Sequence, residues 1–375
     1  MNEEKMKLCL LCNYPVSELT ANYLLRLGEL LESAGNEVII ITQENQFIYK
    51  KALQAELSIL PIENEDEDLS ITAAYRLNQA LKIEKPDVLM VFNKENIAAA
   101  VLLKKAALPE SAKLVFWQPE IFNETQKGFW AGLKDSVWDS KMLKRIDLWI
   151  SPLDADKGYF ENFTSLSKEK LFHLFPQLHL KMEKDIDEMK MTLKVPEEET
   201  LIGLIEDKRL LDDSIHLINC VAKLRQKGYE ANGMILLPDK GIYSSKRLAL
   251  YQHAIDKQIE HHIEIMSKTQ VNEQEFIHMA DILLIPEPSL LRTIEAFAAG
   301  TLTILAKHTA NKILNQKGEL GLTSTFEVKK LTKKIIEYLD DSLFSEIVSE
   351  KSSSKMVDEK AEKKYIKSLL KIMRT

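Results

Sequence analysis

Residues 281–306 read DILLIPEPSLLRTIEAFAAGTLTILA. ILLI, between Asp281 and Pro286, is a short continuous apolar run, the pattern of a strand buried on both faces. Turn text follows at Glu287, Pro288 and Ser289, then helical text opening at about residue 292, then Ala-Gly and a second apolar run, LTILA at 302–306. This is a strand, turn, helix, strand unit. Near-continuous apolar strands joined through helices imply a parallel sheet covered on both faces.

The same rhythm runs outward in both directions. KLCLLC at 7–12, a helical pattern over 20–34 and EVIIIT at 37–42 open the chain. Further strand text stands at 57–62, 87–92, 112–117, 147–152 and 171–175. It pauses over 181–199, a charged stretch with Pro196 near its end, which reads as an interdomain linker with a short helix. A second series has strands at 200–206, 232–238, 262–266, 281–286 and 302–306. The expected architecture is α/β: two Rossmann-like doubly wound domains in tandem, residues 1–180 and 200–355, with a cleft between the carboxyl ends of their sheets. Past a serine-rich join, Tyr365, Leu369, Leu370 and Met373 stand at helical spacing, so residues 356–375 are expected to form a helix packing back on the N-terminal domain.

Bulk properties agree. A chain of 375 residues, 45% hydrophobic and 29% charged, exceeds one compact core. A formal net charge of -7 disfavours a dominant nucleic-acid-binding role. Cys9, Cys12 and Cys220 make no disulfide framework, and the Cys9-x-x-Cys12 pair sits in strand text rather than at a helix start, as expected of buried thiols in a reducing compartment. No apolar run approaches the ~20 residues that span a bilayer, and the N-terminus lacks a signal-peptide layout. The expected location is cytoplasmic, with at most peripheral contact at the inner face of a membrane.

On these residues the chain resembles the retaining glycosyltransferases of the GT-B fold, group 1 type. LLCNYPVSELTANYLLRLGELLESAGNEVIIIT looks like their first strand, loop, helix and second strand, and RIDLWISPLDADKGYFENFTSLSKEKLFHLFPQLHL like the segment ending the first domain. HMADILLIPEPSLLRTIEAFAAGTLTILAKHTANKILNQKGELGL looks like their E-x7-E turn and the strand and glycine loop after it. The resemblance implies transfer of a sugar from a UDP or GDP donor to an unidentified acceptor (protein, glycan or lipid), with neither cofactor nor metal. It places Glu287, the catalytic-position candidate, on the hexose hydroxyls and Glu295 on the ribose. It puts the backbone of Ser289, Leu290 and Leu291 near the phosphate at a helix N-terminus, and the Ile265 and Met266 backbone near the base. Carboxylates suit such a role because they accept paired hydrogen bonds from sugar hydroxyls. The plainer reading is a helix-start acid at Glu295 and a solvated turn residue at Glu287.

Several positions depart from the family. Pro288, Ser289 and Leu290 fill a turn where the family has glycine, and Pro288 supplies no amide donor. Asp207 and Asp212 stand near the family's pyrophosphate-gripping Arg and Lys. A carboxylate about 4 Å from a phosphate charge repels it by roughly 4 kcal/mol at an effective dielectric of 20. The cations left for the phosphate are Lys208, Arg209 and Arg292; Lys208 and Arg209 read equally well as a solvated loop. Trp117 and Gln118 replace an acceptor-side His, and neither exchanges a proton near neutral pH.

The four tryptophans, 117, 130, 138 and 149, share one stretch interleaved with lysines, readable as a membrane- or acceptor-facing surface or, more simply, as a core helix. His261 and His262 are strand neighbours pointing to opposite faces, so they do not share a metal. No phosphate-binding Gly-x-x-x-x-Gly-Lys loop and no serine nucleophile elbow occurs. Two further readings stay open beside the transferase: a catalytically silent GT-B scaffold partnering an active glycosyltransferase chain, and a sugar-nucleotide epimerase.

Overall fold

The computed structural model describes residues 5–12, 17–44, 46–62, 71–92, 96–118, 144–152, 168–178, 180, 185–192, 199–206, 212–238, 243–287, 289–307, 322–340 and 359–375. The chain divides into two compact units, Met1–Leu180 with Glu359–Thr375, and Lys181–Asp358.

The first unit runs β1 (Lys7–Leu11), α1 (Glu18–Ser33), β2 (Glu37–Gln43), α2 (Phe47–Gln54), β3 (Ser58–Ile62), α3 (Ile71–Glu84), β4 (Val88–Val91), α4 (Ile97–Ala107), β5 (Lys113–Trp117), β6 (Leu148–Ser151) and β7 (Leu171–His173). Its strands form one sheet in the order 3-2-1-4-5-6-7, with parallel pairing throughout. Leu8, Cys9, Leu10 and Leu11 are all buried, as a strand covered on both faces requires. Helix α1 starts two residues before its apolar text because the Ser17 side chain accepts the Thr20 N–H and caps it.

The second unit runs α5 (Ile186–Thr192), β8 (Thr200–Ile205), α6 (Asp212–Gln226), β9 (Ala231–Leu237), α7 (Tyr243–Asp256), β10 (Ile263–Ser267), α8 (Glu273–Met279), β11 (Ile282–Ile285), α9 (Leu290–Ala298), β12 (Leu302–Ala306), β13 (Leu322–Ser324) and α10 (Val328–Asp340). Its parallel sheet has the order 10-9-8-11-12-13. Both sheets therefore reverse their winding beside their first strand, as doubly wound folds do. Strand β13 was not expected: three residues of Leu-Thr-Ser text carry no strand signal.

One device recurs in both units. An Asp just before a strand accepts an N–H from the first or second residue of the strand beside it: Asp87 from Lys7 (2.8 Å), Asp147 from Leu114 (2.6 Å) and Asp281 from Leu201 (2.7 Å). Each satisfies a backbone donor at the amino edge of its sheet.

The last helix, α11 (Glu359–Arg374), belongs to the first unit. Its Tyr365, Leu369, Leu370 and Met373 are buried. The Trp117 indole N–H donates to the Tyr365 hydroxyl (3.0 Å), and Arg26 donates from Nε and Nη2 to the Glu362 carboxylate (3.1 and 2.8 Å). Trp117 stacks edge-on with Phe92 and Trp149 with Phe116. These two tryptophans are core residues; residues 121–143, with Trp130 and Trp138, lie outside the described residues.

Candidate functional site

The winding of the second sheet reverses between β8 and β11, and ligands of open α/β sheets bind at the carboxyl ends of strands beside such a switch. Leu204 lies opposite Leu284, so Glu206 and the turn at Pro286 and Glu287 leave the same edge side by side.

Helix α9 opens at Leu290, not at about 292. Ser289 takes an extended backbone and its side chain accepts the Arg292 N–H (3.4 Å), which makes it the N-cap. The far end closes on Gly300 (φ 76°): its N–H reaches Phe297 O, and the Thr301 N–H reaches Ala296 O. This is a Schellman stop, which needs the left-handed conformation glycine adopts freely. The Thr301 hydroxyl then donates to the carbonyls of Ile277 and Ala280 at the end of α8. At the other end of α8, Asn272 and Glu275 form a reciprocal capping box. Helices α8 and α9 are thus fixed at their termini and to each other.

The earlier helix start changes where the glutamates lie. Glu287 is exposed at the turn, whereas Glu295 is the sixth residue of α9 and 1% exposed, with His278 Nε2 of α8 at 2.8 Å from its Oε1. Leu290 and Leu291 are completely buried. Ile265 and Met266 are buried in β10, the edge strand two places from β8. Pro288, Asp207, Lys208 and Arg209 lie outside the described residues.

Arg292 is not a solitary cation. Its Nε donates to Glu273 Oε1 (2.5 Å), and Lys268 Nζ lies 3.3 Å from Glu273 Oε2. Burial alone would push the Glu273 carboxyl up, but Arg292 and Lys268 outweigh it and hold the group below the ordinary carboxylate value. The trio carries one net positive charge, so half of its cationic charge is already matched by the protein.

Sequence reasoning missed Glu273, His278, Lys268 and Glu206. Glu206 is 2% exposed and accepts a hydrogen bond from the Ser214 hydroxyl (2.8 Å). An acid closing the apolar text TLIGLI was the one visible signal. The residues at the position of the missing acceptor-side His are structural: Gln118 is buried and accepts the Trp149 indole N–H (3.3 Å). Among the described residues no three His, Cys, Asp or Glu side chains cluster as metal ligands, and His262 instead meets Asn232 Oδ1 (3.0 Å). No helix among them is long and apolar enough to cross a membrane.

No protein-family model matches the sequence, and no curated protein is similar to it in sequence. Solved structures are similar over nearly the whole chain. Anabaena Alr3699/HepE in complex with UDP-glucose has a TM-score of 0.76 at 14% identity, covering 98% of this chain and 99% of that one. A glycosyltransferase from Rickettsia africae gives 0.74 at 13%, covering 99% and 98%. A putative UDP-N-acetylglucosamine 2-epimerase from Listeria monocytogenes gives 0.63 at 12%, covering 98% and 95%. At such identities the likeness concerns the fold: the chain has the two-domain α/β architecture of the GT-B proteins.

Proposed function

We propose that the chain is a retaining GT-B glycosyltransferase that takes a hexose from a UDP or GDP donor bound to the second unit. The observation that carries this is the position of the E-x7-E turn, leaving β11 beside the switch point, with Glu287 exposed and Glu295 on the helix the turn opens. A structure of the same fold holding UDP-glucose supports it. Glu287 orients the hexose through its hydroxyls, and Glu295, steadied by His278, receives the ribose. The first-turn backbone at residues 289–291 faces the phosphate at the positive end of α9. Arg292, with Lys208 or Arg209, supplies cationic charge there. In front-face attack the departing phosphate oxygen takes the acceptor's proton, so this chain's task is to hold and orient rather than to supply a base, and the buried Trp117 and Gln118 do not oppose it. Residues 1–180 are the acceptor domain and 200–355 the donor domain in this reading.

A second reading is a catalytically silent scaffold beside an active glycosyltransferase chain. It is favoured by the carboxylates at the phosphate side of the site: buried Glu206 at the end of β8, and Glu273 matching Arg292. Incubating the purified chain with UDP and GDP sugars and following nucleoside diphosphate release separates the two. Release by a monodisperse monomer rejects the scaffold; no release with any donor, together with a stable complex with a transferase chain, rejects the enzyme. Conversion of the free donor to an epimer assigns the third activity of this fold.

A further inference from the structure

Helix α11 has two unlike faces. Glu362, Tyr365, Ile366, Leu369, Leu370 and Met373 are buried in the first unit. Lys360, Lys363, Lys364, Lys367, Lys371 and Arg374 are all exposed. At 3.6 residues per turn these six cations fall within an arc of about 100°, a straight stripe roughly 21 Å long. Glu362 adds nothing to that face, because it is turned inward onto Arg26. In a chain of net charge -7, six cations on one helix face are a local reversal of sign.

We infer that this stripe is a docking surface for an anionic membrane, with α11 lying parallel to the lipid plane. Four to eight Lys or Arg on one amphipathic helix are what negatively charged headgroups attract. The apolar face of α11 is occupied by its own unit, so the contact is electrostatic and reversible, without insertion. Lysine makes up five of the six positions. Lysine is depleted from the cores of protein–protein interfaces, and arginine is the residue of choice for nucleic-acid recognition. A convex stripe of point charges matches a plane of diffuse negative charge better than either. The stripe belongs to the first unit and the E-x7-E turn to the second, and the inference does not depend on the activity proposed there.

The test is co-sedimentation of the full chain with vesicles of phosphatidylcholine containing about 30% phosphatidylglycerol, against pure phosphatidylcholine. Binding to the anionic vesicles alone, lost at about 1 M salt where the Debye length shrinks to about 3 Å, is expected. Substituting Lys360, Lys363, Lys364 and Lys367 together by Gln lowers the partition coefficient about a hundredfold or more, at roughly fivefold per charge. Arg at the same four positions retains binding, which separates lost charge from lost folding. Gln at Lys227, Lys257, Lys329 and Lys333, exposed lysines of the second unit, changes net charge equally and leaves binding within about threefold. Equal loss in the two Gln sets, equal binding to neutral vesicles, or retention of a duplex RNA without vesicle binding would overturn the inference.

Discussion

Glu273→Gln tests the charge arrangement that holds α8 against α9. The carboxylate is 1% exposed, takes the Arg292 Nε–H at 2.5 Å and lies 3.3 Å from Lys268 Nζ. An amide of the same shape keeps the packing but leaves Arg292, itself mostly buried, without its counter-charge. Breaking one partner of a buried pair costs about 3–5 kcal/mol. In a unit of this size each kcal/mol moves the melting temperature by about 2–4 °C, so the second unit should melt about 10 °C lower. The sign with pH follows from the depressed carboxyl: its stabilisation is present above its ordinary value of 4.5 and is lost as pH falls through the lower folded value. Scanning calorimetry at neutral pH and again on acidification measures both. The variant should lie well below the native protein near pH 7 and approach it in acid. Adding Arg292→Met, which removes the orphaned charge, should recover most of the loss. A neutral-pH difference under about 1 kcal/mol, with no convergence in acid, would show that Glu273 does not act as a buried counter-charge, since that is the worth of an exposed pair.

Three further outcomes follow. Asp281→Ala strips the acceptor from the Leu201 N–H and should cost about 1–3 kcal/mol by denaturant titration, with Asp281→Asn recovering most of it. Tyr365→Phe leaves the buried Trp117 indole N–H without its acceptor and should cost a similar ~1–3 kcal/mol, followed by tryptophan emission of the first unit. The thiols of Cys9, Cys12 and Cys220 are buried, and burial pushes Cys9 up to about 12 and Cys220 to about 11, so an alkylating reagent should label none of the three in the native chain and all three in concentrated guanidinium.

The sheet architecture was legible because each strand is a short apolar run and each crossover carries helical spacing. ILLI, LTILA and EVIIIT announce buried parallel strands without help from tertiary context. Helix starts were less so. The apolar text of α9 suggested a start near 292, but Ser289 fixes it at 290, and those two residues turn Glu295 from a first-turn acid into a buried one. The site's electrostatics were hardest to read, because they come from pairs distant in sequence: Glu273 with Arg292, nineteen residues on, and His278 with Glu295, seventeen on. Nothing in VNEQEFIHM tells which of its acids faces α9, since that depends on how the two helices are set against each other. The aspartate plugs were likewise visible as PDVLMV, IDLWIS and ADILLI, yet their partners lie on strands far along the chain.

The proposed function requires that the E-x7-E turn hold a nucleotide sugar. Isothermal calorimetry of the full chain against UDP-glucose and a panel of UDP and GDP sugars tests it most directly, with Glu287→Gln in parallel. Saturable one-site binding to at least one donor below about 1 mM is expected. Glu287→Gln should weaken it about tenfold to a hundredfold, the worth of a hydrogen bond to a charged group. No binding heat with any donor at that concentration, or binding that Glu287→Gln leaves unchanged, would contradict it.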